Sequence, residues 1–337
     1  MKPTDPKDRA AQLAERRAKL SGDQRSLLEQ RLRRTSRAAP AAPSSLVAIQ
    51  PAGDRPPFFC IHPAGGDVLG FQALAHALGT DQPFYGLQSR GLAAGEEPLM
   101  SLEEMAASYR AEITRASAGP YHLGGWSLGG AVVFELARQL AADGKEIALL
   151  AILDGTPGPW PRPAEGADDG APDETDDAYW LMEIADYLQR LWGVDLGLSE
   201  EILRALDPEA QVHRFLAGLK DTPFGAAAAV EPLRRLLNVF KANVRAFRSY
   251  RPGGYPGRIT LFRPADAAED VAAAADPTLG WGALSPLPVE IETVPGDHIS
   301  ALAEPHVQTL AAQLRAAIDR APGLDPAART PETPRLS

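Results

Sequence analysis

The sequence contains a single cysteine, Cys60, and no apolar run near the roughly 18 residues that a membrane-spanning helix needs. One thiol excludes an intramolecular disulfide and a zinc site built from several thiolates. The charged start of the chain lacks the adjacent apolar stretch of a secretory signal peptide. We therefore expect a cytoplasmic protein without a membrane segment, in which Cys60 is a buried apolar filler of a strand.

Positive charge is scarce outside the first forty residues. The chain has 34 Lys and Arg against 44 Asp and Glu, a formal charge of -10, although residues 1–40 alone carry +6. This balance argues against a nucleic-acid partner or an anionic membrane surface. Leu13, Leu20 and Leu27 recur every seven residues in the basic segment, which predicts either a helix that docks on a partner or a solvated arm. With the Ala/Pro/Ser stretch that follows, residues 1–44 are interpreted as a basic helical extension and linker.

From residue 45 onwards, short apolar segments alternate with helical patterns. The predicted helices cover 68–79, 101–117 and 128–142. The candidate strands cover 46–50, 57–62, 83–88, 121–126, 147–153, 258–263 and 288–294. This alternation predicts an α/β fold with a mostly parallel, doubly wound sheet.

The alternation of strands and helices is interrupted from about residue 156 to about residue 256. The start of this insertion, 165–177, is acidic, and helical patterns follow at 178–193, 208–219 and 230–250. We interpret the insertion as a helical lid on a domain that spans 45–320. A last helix is predicted from about 303 to 318, and the Pro-rich residues 321–337 are predicted to be a disordered tail.

The sequence around Ser127 has the pattern of a nucleophile elbow. Gly125-Trp126-Ser127-Leu128-Gly129 matches G-x-S-x-G, and it lies between an apolar strand and a helix, as that elbow requires. The alternative is a glycine-rich turn with an incidental serine. In the elbow interpretation Ser127 is the nucleophile, and the backbone N–H of Leu128 is one oxyanion donor.

A serine nucleophile needs a base and a carboxylate that orients the base. His298 follows the last candidate strand, so it fits the chain order Ser, acid, His of α/β-hydrolases. Asp154 and Asp266 each follow a strand downstream of Ser127, and both are candidates for the acid. The second oxyanion donor is expected from the loop at 62–66, with the N–H of Ala64 preferred and Gly65 the alternative.

Other site chemistry is not indicated by the sequence. His62 stands beside the oxyanion loop, and we interpret it as a shaping residue rather than a base. Metal-ligand spacing and a phosphate-binding P-loop are both missing from the sequence, so we expect neither a metal nor a cofactor.

Four motifs together carry a family resemblance. HPAGG, GWSLGG, LDGTPG and PGDHISAL, at these intervals over about 45–320, resemble the thioesterase domains of nonribosomal peptide and polyketide synthases. The resemblance implies an α/β-hydrolase fold with a helical lid. It also implies that Asp154 rather than Asp266 is the acid, because the acid of that family commonly follows the strand after the nucleophile.

The resemblance also implies a substrate and a partner. The substrate would be an acyl or peptidyl thioester on the phosphopantetheine arm of a carrier protein, released by hydrolysis or cyclisation through an acyl-Ser127 intermediate. A carrier-type Gly-Gly-x-Ser motif does not precede the domain, so we expect the carrier to act in trans. Residues 1–44 resemble segments that join synthase modules, so they are a candidate contact with such a module.

Three other functions use the same fold. An editing thioesterase would clear misloaded carriers, and a general carboxylesterase or lipase would accept simple oxygen esters. A docking module with a vestigial triad is the non-enzymatic alternative. Neither the acyl group nor the choice between water and an internal nucleophile can be inferred from the sequence.

Overall fold

Seven strands form one sheet in the computed structural model, which describes residues 44–158, 176–220, 222, 225, 228–266 and 275–321. The strands are β1 (Leu46–Gln50), β2 (Phe58–Ile61), β3 (Phe84–Leu87), β4 (Tyr121–Trp126), β5 (Ile147–Leu153), β6 (Thr260–Pro264) and β7 (Glu290–Val294). Their order is β1-β3-β2-β4-β5-β6-β7. Only β1 is antiparallel to its neighbour, so the predicted mostly parallel α/β sheet is confirmed.

The central strands are apolar because helices cover both faces of the sheet. All residues of β2 and β4 are buried, as expected for parallel strands that face no solvent. The helices of the sheet are α1 (Gln72–Leu78), α2 (Leu102–Ala116), α3 (Leu128–Ala142) and, near the end of the chain, α8 (Val307–Arg320). Helices α2 and α3 share one apolar cluster with the sheet, and α1 and α8 share the other.

The predicted insertion contains four described helices between β5 and β6. They are α4 (Asp177–Trp192), α5 (Glu200–Arg204), α6 (Pro208–Leu219) and α7 (Val230–Ser249). Asp176, Ser199 and Asp207 each accept a backbone N–H bond at the start of α4, α5 and α6, as N-cap residues do. These helices bury an apolar cluster of their own, so the lid has its own core.

The last helix and one lid helix differ from the sequence-based expectation. The last helix begins at Val307 rather than near residue 303, because the residue before Pro305 is disfavoured in the helical region. Helix α5 was not predicted, since its five residues are too few to show a helical period.

Several predicted segments lie outside the described residues. These are 1–43, most of the acidic stretch at 165–177, and the tail from residue 322. The described chain from Ser45 onwards belongs to one compact unit. Among the helices of the described ranges, none is both long enough and apolar enough to cross a membrane.

Candidate active site

Ser127 lies in a strained turn between β4 and α3. Its backbone has φ 58° and ψ -126°, a conformation that residues other than glycine seldom adopt. Two backbone bonds hold this turn: the Ser127 N–H donates to the Leu153 carbonyl at 3.0 Å, and the Gly130 N–H donates to the Ser127 carbonyl at 2.9 Å. The serine hydroxyl is thereby presented above the carboxyl edge of the sheet, where it lines a cavity.

The two glycines of the G-x-S-x-G pattern are required by close backbone approach. A Cβ at Gly125 would collide with the carbonyl of Gly129. A Cβ at Gly129 would lie 2.5 Å from the His62 carbonyl oxygen and closer still to that of Ile61. The turn therefore depends on glycine at both positions, because backbone atoms cannot move aside as a side chain can.

His298 contacts both of its predicted partners. Its Nε2 lies 3.0 Å from Ser127 Oγ, and its Nδ1 lies 2.6 Å from Asp154 Oδ2. A carboxylate only accepts hydrogen bonds, so Nδ1–H donates to Asp154, and Nε2 is left to accept from the serine hydroxyl. Since 144 and 171 residues separate the paired groups, the fold alone brings them together. This is the arrangement that activates an alcohol for acyl transfer.

The two candidate carboxylates have different surroundings. Asp154 directly follows β5, with its N–H bonded to the Phe262 carbonyl at 2.9 Å and a positive φ of 47°. Asp266 follows β6 and is exposed, and its N–H donates to the Gly296 carbonyl at 3.1 Å. Asp154 is thus the carboxylate in contact with the imidazole of His298.

The loop that carries His298 is held by residues that the sequence did not single out. The Trp126 indole N–H donates to the His298 carbonyl at 3.1 Å, and the two rings lie 5.6 Å apart. Arg190 of α4 forms an ion pair of 2.8 Å with Asp297. Trp126 occupies the unspecified position before Ser127 in the G-x-S-x-G pattern, so the sequence contains a signal for it. No local signal connects Arg190 to Asp297.

The carboxylate of Asp297 stays charged in this loop. Partial burial acts against its charge, but the N–H groups of Ser300 and Ile299 and the Arg190 guanidinium lower its pKa to about 2. The loop therefore has a fixed negative charge opposite the lid.

The predicted oxyanion donors come from two neighbouring elements. Leu128 is the first residue of α3, where backbone N–H groups have no partner within the helix. Ala64 lies in a turn closed by a 2.9 Å bond from the Gly66 N–H to the Pro63 carbonyl. Ala64 and Gly65 line the same cavity as Ser127, so both the preferred and the alternative donor are at the site.

A cavity of about 470 Å³ lies between the lid and the edge of the sheet. Trp126, Ser127 and His298 contribute to its wall on the sheet side. The lid contributes mainly apolar side chains, among them Ile184, Leu188, Phe215, Leu216, Leu233 and Leu236. Such a cavity suits an apolar chain whose reacting carbonyl reaches the serine.

His62 and Cys60 are buried groups next to the site. Burial lowers the pKa of the His62 imidazole to about 4, and burial raises the pKa of the Cys60 thiol. A neutral, fully buried imidazole and a protonated thiol do not suit nucleophilic catalysis. Within the described ranges, no group of three His, Cys, Asp or Glu side chains is placed to hold a metal ion.

Comparison with known proteins finds synthase thioesterase domains. A family model described as a thioesterase domain matches residues 56–318. A dimodular nonribosomal peptide synthase of Bacillus subtilis is 37% identical over 222 residues, which are 65% of this chain and 8% of that protein. The chondramide synthase of Chondromyces crocatus is 32% identical over 82% of this chain and 7% of that protein. The chain thus spans less than a tenth of the length of these two relatives.

Solved structures of similar fold include isolated and embedded domains. The wild-type Vlm2 thioesterase domain has a TM-score of 0.61 and 28% identity, covering 81% of this chain and 97% of that one. A four-domain nonribosomal peptide synthetase bound to AMP and glycine has a TM-score of 0.70 and 26% identity. That match covers 88% of this chain and 21% of the synthetase.

Proposed function

Because the chain belongs to the thioesterase domain family, we propose that it is a serine thioesterase that releases an acyl or peptidyl chain from a carrier protein. Ser127 is the nucleophile, His298 the base and Asp154 the residue that orients the base. The observation that carries this proposal is the pair of contacts made by His298, 3.0 Å to the serine hydroxyl and 2.6 Å to the carboxylate.

The first half of the reaction would acylate the serine. Ser127 Oγ attacks the thioester carbonyl carbon while its proton moves to Nε2 of His298. The negative charge on the carbonyl oxygen is stabilised by the N–H groups of Ala64 and Leu128. The carbon–sulfur bond then breaks, and the leaving thiol of the phosphopantetheine arm takes the proton from His298.

The second half would free the chain from the serine. Water, or an amine or hydroxyl of the chain itself, gives its proton to His298 and attacks the Ser127 ester. The ester bond breaks and His298 returns the proton to the serine oxygen. Water yields a free acid and an internal nucleophile yields a ring, so the product distinguishes hydrolysis from cyclisation.

The family and the cavity support the proposed substrate and partner. The similar structures are a thioesterase domain and a nonribosomal peptide synthetase, which supports a thioester as the substrate. The apolar lid cavity supports an apolar acyl or peptidyl chain. The phosphopantetheine arm belongs to the carrier, so the chain itself would need no cofactor. Delivery by a carrier in trans, contact with a synthase module through residues 1–44, and the cytoplasmic location stay predictions.

Turnover of defined thioesters tests the proposed function. The protein is incubated with a carrier loaded with a long apolar acyl group, with acetyl carrier, and with an oxygen ester of the long acyl group, and the products are weighed. We expect the long acyl carrier to be cleaved fastest and Ser127→Ala to be inactive. Faster cleavage of acetyl carrier would point to editing, and preference for the oxygen ester would point to a carboxylesterase.

A further inference from the structure

The peptide group between Pro63 and Ala64 is held through its carbonyl oxygen. This oxygen accepts a hydrogen bond from Nδ1 of His62 at 2.7 Å and another from the Gly66 N–H at 2.9 Å. The peptide is planar, so a fixed carbonyl also fixes the direction of the N–H on its other side. That N–H belongs to Ala64 and is the proposed oxyanion donor.

The hydrogen-bond partners of His62 determine its tautomer. The Pro63 carbonyl can only accept, so Nδ1 carries the hydrogen. Nε2 of the neutral ring then has a lone pair, which accepts from the Tyr109 hydroxyl at 2.7 Å. Both side chains are fully buried, and the two rings meet edge to face at 5.9 Å. The Pro63 carbonyl therefore sets the tautomer, and the Tyr109 hydroxyl holds the other side of the ring by donating to Nε2.

The next peptide is fixed from the lid. The Ala64 carbonyl accepts a hydrogen bond of 2.9 Å from the side-chain amide of Asn243, a fully buried residue of α7. Ser89 contacts both Asn243 and Tyr109, so the two supports of the loop are connected. Two successive carbonyls of the loop are thus held by two buried side chains, those of His62 and Asn243.

His62 is inaccessible to a substrate despite its place beside Ser127. Its side chain is 0% exposed, and both ring nitrogens are occupied by Pro63 and Tyr109. A proton transfer between this ring and a reacting group would require breaking one of these bonds. Its effect on the reaction must therefore pass through the backbone of the loop.

We propose that His62, held in place by Tyr109, is a positioning residue that aims the Ala64 N–H at the oxyanion of the transition state. The inference rests on the proposed function of Ser127. In this proposal the buried hydrogen bonds from Tyr109 to His62 and from His62 to Pro63 stabilise the transition state and leave substrate binding unchanged.

Two substitutions at His62 separate its hydrogen bonds. The amide nitrogen of Asn lies near the position of Nδ1, so His62→Asn keeps a donor for the Pro63 carbonyl. The longer Gln places its amide near the position of Nε2, so His62→Gln keeps contact with Tyr109 and loses the donor to Pro63. Circular dichroism and thermal unfolding show whether each variant folds.

Steady-state kinetics and the affinities for two ligands measure the effect of each substitution. We expect His62→Gln to lower kcat by about 10²-fold, close to the loss of one oxyanion donor, with KM unchanged. His62→Asn is expected to stay within about tenfold of the wild type. A trifluoromethyl ketone analogue, which forms an oxyanion on Ser127, should bind His62→Gln more weakly by a similar factor. A non-hydrolysable amide analogue of the substrate forms no oxyanion, so it should bind the wild type and the two His62 variants equally.

Tyr109→Phe keeps the proposal falsifiable if His62→Gln does not fold. The variant loses the hydrogen bond that fixes the Nε2 side of the His62 ring, so the ring holds the Pro63 carbonyl less firmly. We expect kcat to fall about tenfold and the ketone, not the amide, to bind more weakly. Equal losses in Asn and Gln variants, or equal weakening of both ligands, would overturn the proposal. A wild type that shows neither turnover nor fluorophosphonate labelling of Ser127 would instead remove the proposed function, and the positioning role with it.

Discussion

Replacing Gly129 by alanine tests how closely the nucleophile turn must approach strand β2. The new Cβ would lie 2.5 Å from the His62 carbonyl oxygen, whereas ordinary contact begins at 3.4 Å. Relief therefore requires the start of α3 to separate from the end of β2 by about 1 Å. Leu128 lies on one side of that gap and the Ala64 loop on the other. The two proposed oxyanion donors should consequently move apart by a similar distance.

The expected losses of activity and stability in Gly129→Ala follow from this displacement. A misplacement of about 1 Å in an active site lowers the rate by about 10²-fold, and donors act only within about 2.7–3.1 Å of the oxyanion. Overpacking destabilises a protein by about 1–3 kcal/mol, and alanine in a helix regains about 1 kcal/mol relative to glycine. We expect kcat to fall by about 10²-fold with a net loss of stability of no more than about 2 kcal/mol.

The neighbouring helix residue provides a matched control. In Gly130→Ala the Cβ would meet the Ile152 side-chain methyl at 3.0 Å, and a side chain can adjust. Thioester turnover and chemical denaturation are measured for both variants, with kcat of Gly130→Ala expected within about threefold of the wild type. Full activity in Gly129→Ala would refute the link between this close approach and the oxyanion site.

Four further substitutions test the site, the ion pair beside it and the sheet. Asp154→Asn should lower kcat in the thioester assay by about 10⁴-fold, because the amide disfavours the working tautomer of the base, whereas Asp266→Asn should change it only a few-fold. Arg190→Met removes the half-exposed ion pair with Asp297, so denaturation should show a loss of about 1 kcal/mol or less. That difference should shrink in high salt and vanish as the pH falls through the Asp297 pKa of about 2. Burial, with a smaller effect of a nearby guanidinium, lowers the pKa of His122 to about 4, so wild-type stability should fall from pH 6.5 towards pH 4 as the unfolded chain takes up the proton first. His122→Leu should reduce that decline and raise Tm, because within the described residues neither ring nitrogen has a hydrogen-bond partner.

The proposed nucleophile and base could be located from the sequence because each has a local signal. Ser127 stands in a strand-turn-helix pattern with two glycines, and His298 follows the last strand of an alternating series. Strand spacing alone did not decide whether Asp154 or Asp266 is the acid, since parallel strands end at the same edge of a sheet. Only the three-dimensional contact of 2.6 Å, together with the family resemblance, distinguishes them.

The supports of the site could not be predicted because they depend on packing across long sequence separations. Tyr109 reaches His62 from α2 over 47 residues, and Asn243 reaches Ala64 from the lid over 179 residues. Hydropathy patterns predict that such helices bury a face, and they contain no information on which polar group of that face meets which loop. The placement of the lid, and with it the pairing of Arg190 and Asp297, is a tertiary property of the same kind.

Rapid-quench mass spectrometry of the protein during turnover of a long-chain acyl carrier tests the central claim most directly. We expect a transient mass increase equal to the acyl group on the peptide that contains Ser127, formed as the free thiol of the carrier appears, and no such increase in Ser127→Ala. Release of the carrier thiol at the wild-type rate by Ser127→Ala, or without an adduct on Ser127, would contradict the account.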